Sequence, residues 1–173
     1  EGDYLFVYGS LRPAARFTSS IVGSDKARAL LTKDRHETAA TVAGHLLSLG
    51  LYPGWVAPGS LLGTLSYSHV QGDIYRVNDR ILACLDVYEG CSASCPQPHE
   101  YRRCKVIAVT AEGSEIEVWV YEYIGHLTGM IRRIELIPSN DWQKCNKTSH
   151  RIRNPAGKDM GGMIIRPYYV ACL

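Results

Sequence analysis

The 173-residue chain has no apolar run as long as a membrane span, and its charged start, EGDYLFVYG, lacks the basic-then-apolar pattern of a signal peptide. It contains no Gly-x-x-x-x-Gly-Lys-Ser/Thr phosphate loop, no Gly-x-Gly-x-x-Gly after a strand and no Gly-x-Ser-x-Gly. A nucleotide loop and a serine hydrolase triad are therefore unsupported. We expect a soluble, cytoplasmic protein without a membrane partner.

Cysteine is present, but not in the spacing of common metal or redox sites. No pair forms Cys-x-x-Cys, and no His-x-x-x-His or second cysteine pair lies near Cys91 and Cys95, which could bridge or share a metal. We predict no metal and no organic cofactor. The six cysteines are Cys84, Cys91, Cys95, Cys104, Cys145 and Cys172.

The composition is that of one globular domain, with 46% hydrophobic and 21% charged residues. Charge is unevenly distributed along the chain. Residues 139–173 hold six Lys/Arg and two Asp, a charge of +4, and the rest of the chain carries −2, which gives the net charge of +2. This basic segment has no interleaved aromatic residues and matches no nucleic-acid motif. We interpret it as a solvated charged segment rather than a nucleic-acid site, with a phosphate or acidic partner as the alternative.

Hydrophobic patterning predicts short elements in the first half of the chain. Tyr4–Tyr8 is an apolar run closed by glycine, which favours a buried strand, and Ser24–Leu31 has the start and composition of a short helix. Residues 40–50 predict a strand. Residues 52–59 predict a turn at Pro53-Gly54 followed by a loop.

The second half mixes strands with one clear helix. Residues 61–77 predict a strand bent at Gly72. Asn78 caps a helix that ends near Gly90, and its apolar residues fall on one face. Residues 101–124 predict a hairpin that turns at 112–114, and residues 162–173 predict a final strand. Many short strands with one or two helices indicate an α+β sheet or barrel.

Two local features could carry chemistry. At the end of the first strand, Gly9 has no side chain, so the backbone amides that follow it can approach a ligand; the alternative is an ordinary turn. Glu89 follows the last apolar position of the second helix. A carboxylate at the negative end of a helix dipole, facing an apolar cleft, suits a general base, although most such carboxylates are solvated. Asp86 is predicted to be a surface or capping residue.

These features, taken with four other short motifs in order along the chain, resemble the γ-glutamylcyclotransferase-like family. That group includes γ-glutamylamine cyclotransferases, plant AIG2-like proteins and a butirosin-biosynthesis enzyme. The motifs are FVYGSLR at 6–12, YPG at 52–54, GDIYRV at 72–77, LDVYEG at 85–90, YRR at 101–103 and NDW at 140–142.

The resemblance implies a small mixed β-barrel with flanking helices, formed by residues 1–142, with a basic extension at 143–173 packed on it. It implies a γ-glutamyl amide substrate whose α-amine attacks the γ-carbonyl, giving 5-oxoproline and a free amine. Glu89 would be the catalytic base and acid. The backbone amides of Gly9, Ser10 and Leu11 would hold a substrate oxygen.

The same resemblance places Tyr8 and Tyr101 at the cavity, each as a wall or as a reagent. Arg12 is expected either to pair with a substrate carboxylate or to be exposed next to Pro13. Asp73 replaces the glutamate usual in the family, a change expected only to shorten a side chain on the strand. The alternatives to a cyclotransferase are a non-catalytic binding module and a biosynthetic γ-glutamyl-removing enzyme. No oligomeric state is predicted.

Overall fold

A computed structural model describes residues 2–13, 23–50, 52–60, 68–125, 127 and 135–145. It contains eight strands in these ranges. They are β1 (Asp3–Val7), β2 (His36–Ala43), β3 (His45–Ser48), β4 (Pro53–Val56), β5 (His69–Val77), β6 (Tyr101–Thr110), β7 (Glu115–Tyr123) and β8 (Glu135–Leu136). Two α-helices, α1 (Ser24–Leu30) and α2 (Asp79–Tyr88), and short 3₁₀ turns at Lys33–Arg35 and Trp142–Lys144 accompany them.

Five of the strands close into a barrel. The hydrogen-bonded order β1-β5-β2-β6-β7 is antiparallel throughout, and a parallel pairing of Leu5 with Trp119 joins β7 back to β1. The other three strands extend the sheet beyond β7 in the order β4-β3-β8. The predicted α+β fold, a small mixed barrel with flanking helices, is confirmed.

Alternation along the strands divides the buried residues into two clusters. Phe6 of β1 packs with residues from all five barrel strands, so this cluster fills the barrel interior. Leu5 and Val7 point the other way, into a second cluster that includes the buried faces of both helices. Because both faces of β1 are covered, the strand reads as a continuous apolar run.

Helix α2 is set by signals visible in the sequence. The Asn78 side chain accepts a hydrogen bond from the Ile81 amide at 3.0 Å, an N-cap that typically contributes about 1 kcal/mol. Its apolar residues Ile81, Leu82, Leu85 and Tyr88 are all buried. The helix stops before Gly90, whose φ of 70° is left-handed. The predicted helix and its end are therefore confirmed, as are α1, the first strand and the β6-β7 hairpin.

The turn predicted at Pro53-Gly54 is wrong. Both residues belong to β4, and they pair with Ser48 and Leu47 of β3. A Cβ on Gly54 would lie 2.7 Å from Cβ of Tyr123, so the glycine allows β4 to lie close to β7. The glycine marks a close approach between strands rather than a reversal of the chain.

The bend predicted at Gly72 is also wrong, since β5 runs through it without interruption. A Cβ at this position would overlap the ring of Phe6 and the carbonyl oxygen of Val7. Glycine is needed here because the barrel is narrow, and an aromatic ring occupies the space that a side chain would take.

Several sequence predictions fall outside the described residues. The final strand at 162–173, most of the extension at 143–173 and the start of the 61–77 strand lie there. No helix in the described ranges is both long and apolar enough to cross a membrane.

Gly72→Ala should lower the free energy of unfolding by about 1–3 kcal/mol, since the added methyl group overpacks the barrel interior. Gly113→Ala is the comparison: its φ is +85°, but nothing lies within 4 Å of the added Cβ, so only backbone strain of about 1 kcal/mol is expected. Urea unfolding followed by tryptophan fluorescence measures both. A smaller loss for Gly72→Ala than for Gly113→Ala contradicts the overpacking account.

Candidate active site

A narrow cleft opens where β1 and α2 end and β4 begins. It contains about 390 Å³ of empty space, counting its open mouth. Apolar and aromatic side chains form most of its wall. Its described lining residues are Phe6, Val7, Tyr8, Gly9, Ser10, Leu11, Tyr52, Pro53, Glu89, Tyr101 and Tyr121.

The segment Gly9–Leu11, called here the donor loop, lines one side of the cleft. It is the first part of a turn in which the Arg12 amide donates to the Gly9 carbonyl at 3.1 Å. None of the described residues accepts a hydrogen bond from the amides of Gly9, Ser10 or Leu11. Backbone donors left without a protein acceptor beside a cleft can bind an anion or a carbonyl oxygen.

Glu89 lines the same cleft. It is the C-cap residue of α2, and its amide donates to the Leu85 carbonyl at 2.7 Å, so the helix fixes where its side chain begins. Among the described lining residues it is the single carboxylate. The structure thus brings every sequence-predicted site residue, Tyr8 to Leu11 with Glu89 and Tyr101, to one cleft; their roles in catalysis and binding stay predictions.

Tyr121 is a cleft residue that sequence reasoning missed. Its hydroxyl donates to Asp86 at 2.9 Å, and Asp86 also pairs with Arg103 at 3.1 Å. Burial, and then the charge of Asp86, raise the pKa of Tyr121, so the phenol stays protonated and cannot act as a base near neutral pH. Asp86, predicted to be a surface or capping residue, therefore holds a wall of the cleft.

The other tyrosine hydroxyls of the cleft also bond to the protein. Tyr8 donates to the carbonyl of Tyr121 at 2.6 Å, and Tyr101 donates to the carbonyl of Pro53 at 2.8 Å. Tyr52 donates to the buried Glu100 carboxylate at 3.1 Å. These bonds favour the wall interpretation of Tyr8 and Tyr101, because each hydroxyl proton is already directed at a fixed acceptor.

Cys91 follows Glu89 closely but is unsuited to nucleophilic attack. Burial, followed by the charges of Asp86 and Glu89, raises the pKa of its thiol well above the usual value. Cys91 and Cys95 are both free thiols, so they form no disulfide in this structure. In the described ranges no three His, Cys, Asp or Glu side chains come together as metal ligands.

Arg12 fastens the donor loop to the barrel. Its Nε donates to Asp73 Oδ2 at 2.7 Å and its Nη1 donates to Asp141 Oδ1 at 3.0 Å, with all three side chains about 90% buried. The second oxygen of Asp73 lies 3.0 Å from His36 Nε2. Asp141 also accepts from the Gln143 amide and so caps the 3₁₀ turn that follows. The network joins the loop to β5, β2 and the 140–145 segment.

Both expectations for Arg12 are wrong, since it is neither exposed nor available to a substrate carboxylate. Asp73 does more than shorten a side chain, because one of its oxygens accepts from Arg12 Nε and the other lies within hydrogen-bond distance of His36 Nε2. The charged residues of the YGSLR, GDIYRV and NDW motifs were the available signal. Their separation in the sequence, 61 and 129 residues from Arg12, hid the contact.

Comparison with known proteins identifies the family of this chain. The family model described as "Gamma-glutamyl cyclotransferase, AIG2-like" matches residues 5–144. The chain belongs to this family. It is therefore a cyclotransferase-like enzyme, as the sequence motifs predicted.

One similar curated protein comes from Methanocaldococcus jannaschii and is named provisionally as a γ-glutamylcyclotransferase. It is 28% identical over 128 residues, which cover 70% of this chain and 84% of the relative.

Two solved structures share the fold. An AIG2-like protein from Mus musculus superposes with a TM-score of 0.51 at 18% identity, covering 91% of this chain and 93% of its own. YkqA from Bacillus subtilis superposes with a TM-score of 0.52 at 21% identity, over 82% of this chain. The chain spans only 40% of the length of YkqA. Both likenesses concern the barrel rather than its chemistry.

Arg12→Met should destabilise the cyclotransferase fold by about 3–5 kcal/mol, because it leaves two buried carboxylates without their cation. Adding Asp73→Asn and Asp141→Asn removes those charges and should recover part of the loss. Urea unfolding of the single and triple variants measures the difference. Equal stability of the two variants would show that the buried charges are not the cause.

Cys91 should react with iodoacetamide at pH 8 at least about tenfold more slowly than the exposed Cys84, because its raised pKa keeps the thiol protonated. Peptide mapping by mass spectrometry over a time course measures both sites in one sample. In urea the two should react alike. Faster modification of Cys91 than of Cys84 in the folded protein contradicts this description of its surroundings.

Proposed function

We propose that the enzyme cleaves a γ-glutamyl amide by intramolecular attack of the substrate's own α-amine, releasing 5-oxoproline and an amine or amino acid. The observation that carries the proposal is the presence, in one apolar cleft, of a single carboxylate among the described lining residues and of a loop whose amides have no acceptor among the described residues. This reaction needs one proton carrier and one set of oxyanion donors, and no other reagent from the protein.

Glu89 first takes a proton from the substrate's α-ammonium, which makes the amine a nucleophile. The amine then attacks the γ-carbonyl carbon and closes a five-membered ring. Negative charge develops on the carbonyl oxygen, where the amides of Gly9, Ser10 and Leu11 receive it. The C–N bond to the leaving amine breaks as Glu89 returns the proton to that nitrogen. The ring nitrogen gives its remaining extra proton to the Glu89 carboxylate, which passes it to the released amine, so the products are 5-oxoproline and an ammonium ion.

The aromatic wall supports this proposal in a second way. Ring closure is intramolecular, so its main requirement is that the γ-glutamyl chain be held folded. Tyr8, Tyr52, Tyr101 and Tyr121 present rings whose hydroxyls are fixed to protein acceptors, which makes the wall rigid. A rigid apolar wall also keeps water from competing with the amine.

Glu89→Gln should lower the rate of 5-oxoproline release by about 10²–10⁴-fold, because the amide cannot carry the proton. The substrates are a panel of γ-glutamyl amines, γ-glutamyl amino acids and γ-glutamyl-ε-lysine, with mass detection of both products. Glu112→Gln, in the exposed turn between β6 and β7, is the matched control and should keep the wild-type rate. Full activity of Glu89→Gln on every substrate that the wild type turns over would falsify the mechanism.

Ser10→Ala should stay within about threefold of the wild-type rate, because the proposal uses the Ser10 amide and not its hydroxyl. Gly9→Ala should lose much more, since a Cβ there would lie 2.9 Å from Pro53 Cγ and displace the loop. Combining it with Pro53→Ala removes that collision and should restore activity. An inactive but folded Ser10→Ala enzyme would instead point to a role for the hydroxyl.

A further inference from the structure

A second pocket adjoins the donor loop. It shares Leu11 with the cleft and has no other described lining residue in common with it. It contains about 880 Å³ of empty space, counting its open mouth. Leu11, Pro13 and Leu31 give it apolar walls.

The polar side chains of this pocket are basic. Arg28, Lys33 and His36 line it, and none of its described lining residues is acidic. Neither Arg28 nor Lys33 forms an ion pair with a described carboxylate. The nearby Asp73 carboxylate is already bound to Arg12 and His36. The pocket therefore carries positive charge that the described protein does not neutralise.

Tyr75 adds a hydrogen-bond donor to the wall of the pocket. It lines the pocket and is only 3% exposed, yet its hydroxyl has no hydrogen-bond partner among the described residues. Its ring stands edge-on to His36, with centroids 5.3 Å apart. Burial, and then the charge of Asp73, raise the pKa of this phenol, so it remains a donor. The hydroxyl is not among the fully buried polar atoms that lack a partner, so it faces the open space of the pocket and can donate to a ligand there.

We propose that this pocket binds a small organic acid, with its carboxylate held by Arg28 and the Tyr75 hydroxyl and its apolar body against Leu11 and Leu31. This pocket lies next to the donor loop. Arg28 Nη2 contacts the carbonyls of Arg12 and Pro13 at 3.5 and 3.3 Å, directly after the donor loop. The acid is either the far end of a substrate whose leaving amine bears a carboxylate, or a separate molecule.

Direct binding tests the pocket without any turnover. Hexanoate, hexan-1-ol and hexylamine, which share one apolar chain, are titrated calorimetrically into the wild type and variants. Hexanoate should bind best. Its affinity should fall at least about tenfold in Arg28→Met and severalfold in Tyr75→Phe, in line with the loss of a hydrogen bond to a charged group.

Lys26→Met is the matched control, since Lys26 is an exposed cation on the same helix α1 but does not line the pocket. It should bind hexanoate as the wild type does. Equal affinity for hexanoate and hexanol, or hexanoate affinity unchanged in both pocket variants, would overturn the proposal. Tyr75→Phe removes no hydrogen bond to a described residue and is expected to fold. The binding test can therefore be made with this variant even if Arg28→Met does not fold.

Measurement of KM then shows whether the bound acid is part of the substrate or a separate molecule. This experiment rests on the proposed function. γ-Glutamyl-6-aminohexanoate is compared with γ-glutamylhexylamide, whose leaving amines differ only by the carboxylate. If the pocket holds the substrate's far end, Arg28→Met raises KM for the first alone; if it holds a separate acid, the ratio of the two KM values stays unchanged. An inactive wild type that still binds hexanoate through Arg28 would overturn the proposed function and leave the pocket standing.

Discussion

The buried contact of Arg12 with Asp73 and Asp141 is the constraint on which the arrangement of the cleft depends. Three amides of the donor-loop turn have no acceptor among the described residues, and a single backbone bond, from the Arg12 amide to the Gly9 carbonyl, closes it. The guanidinium ties this turn to the centre of β5 and to the 140–145 segment through two charge-assisted hydrogen bonds. Because these carboxylates are buried with their cation, separating them is strongly unfavourable, and the loop stays against the barrel.

With the loop fixed, the rest of the site follows from which polar groups are already occupied. The tyrosine hydroxyls of the wall donate to protein acceptors, and Asp86 is shared by Tyr121 and Arg103. The cleft presents backbone donors on one side and the Glu89 carboxylate on another. This division, with donors that have no acceptor among the described residues and one carboxylate in an apolar wall, suits a reaction in which one group carries protons between two nitrogens and one oxyanion is stabilised.

Local signals made much of this predictable from the sequence. The Asn78 cap, the spacing of apolar residues in α2 and the alternation in β6 and β7 act over a few residues, and they gave the right elements. Glycines were misread because their purpose is tertiary: Gly54 and Gly72 admit Tyr123 and Phe6, which lie far away in the chain. The Arg12 network was missed for the same reason. Asp73 and Asp141 follow Arg12 by 61 and 129 positions, and no local sequence pattern indicates contacts over such separations.

Isotope labelling of the product tests the central claim most directly. The wild-type enzyme is run on a γ-glutamyl amide in water enriched in ¹⁸O, and the acyl product is analysed by mass spectrometry. Attack by the substrate's own amine predicts 5-oxoproline that contains no ¹⁸O, because no water enters the reaction. Glutamate carrying one ¹⁸O atom would mean that water attacks the γ-carbonyl, and would contradict the account.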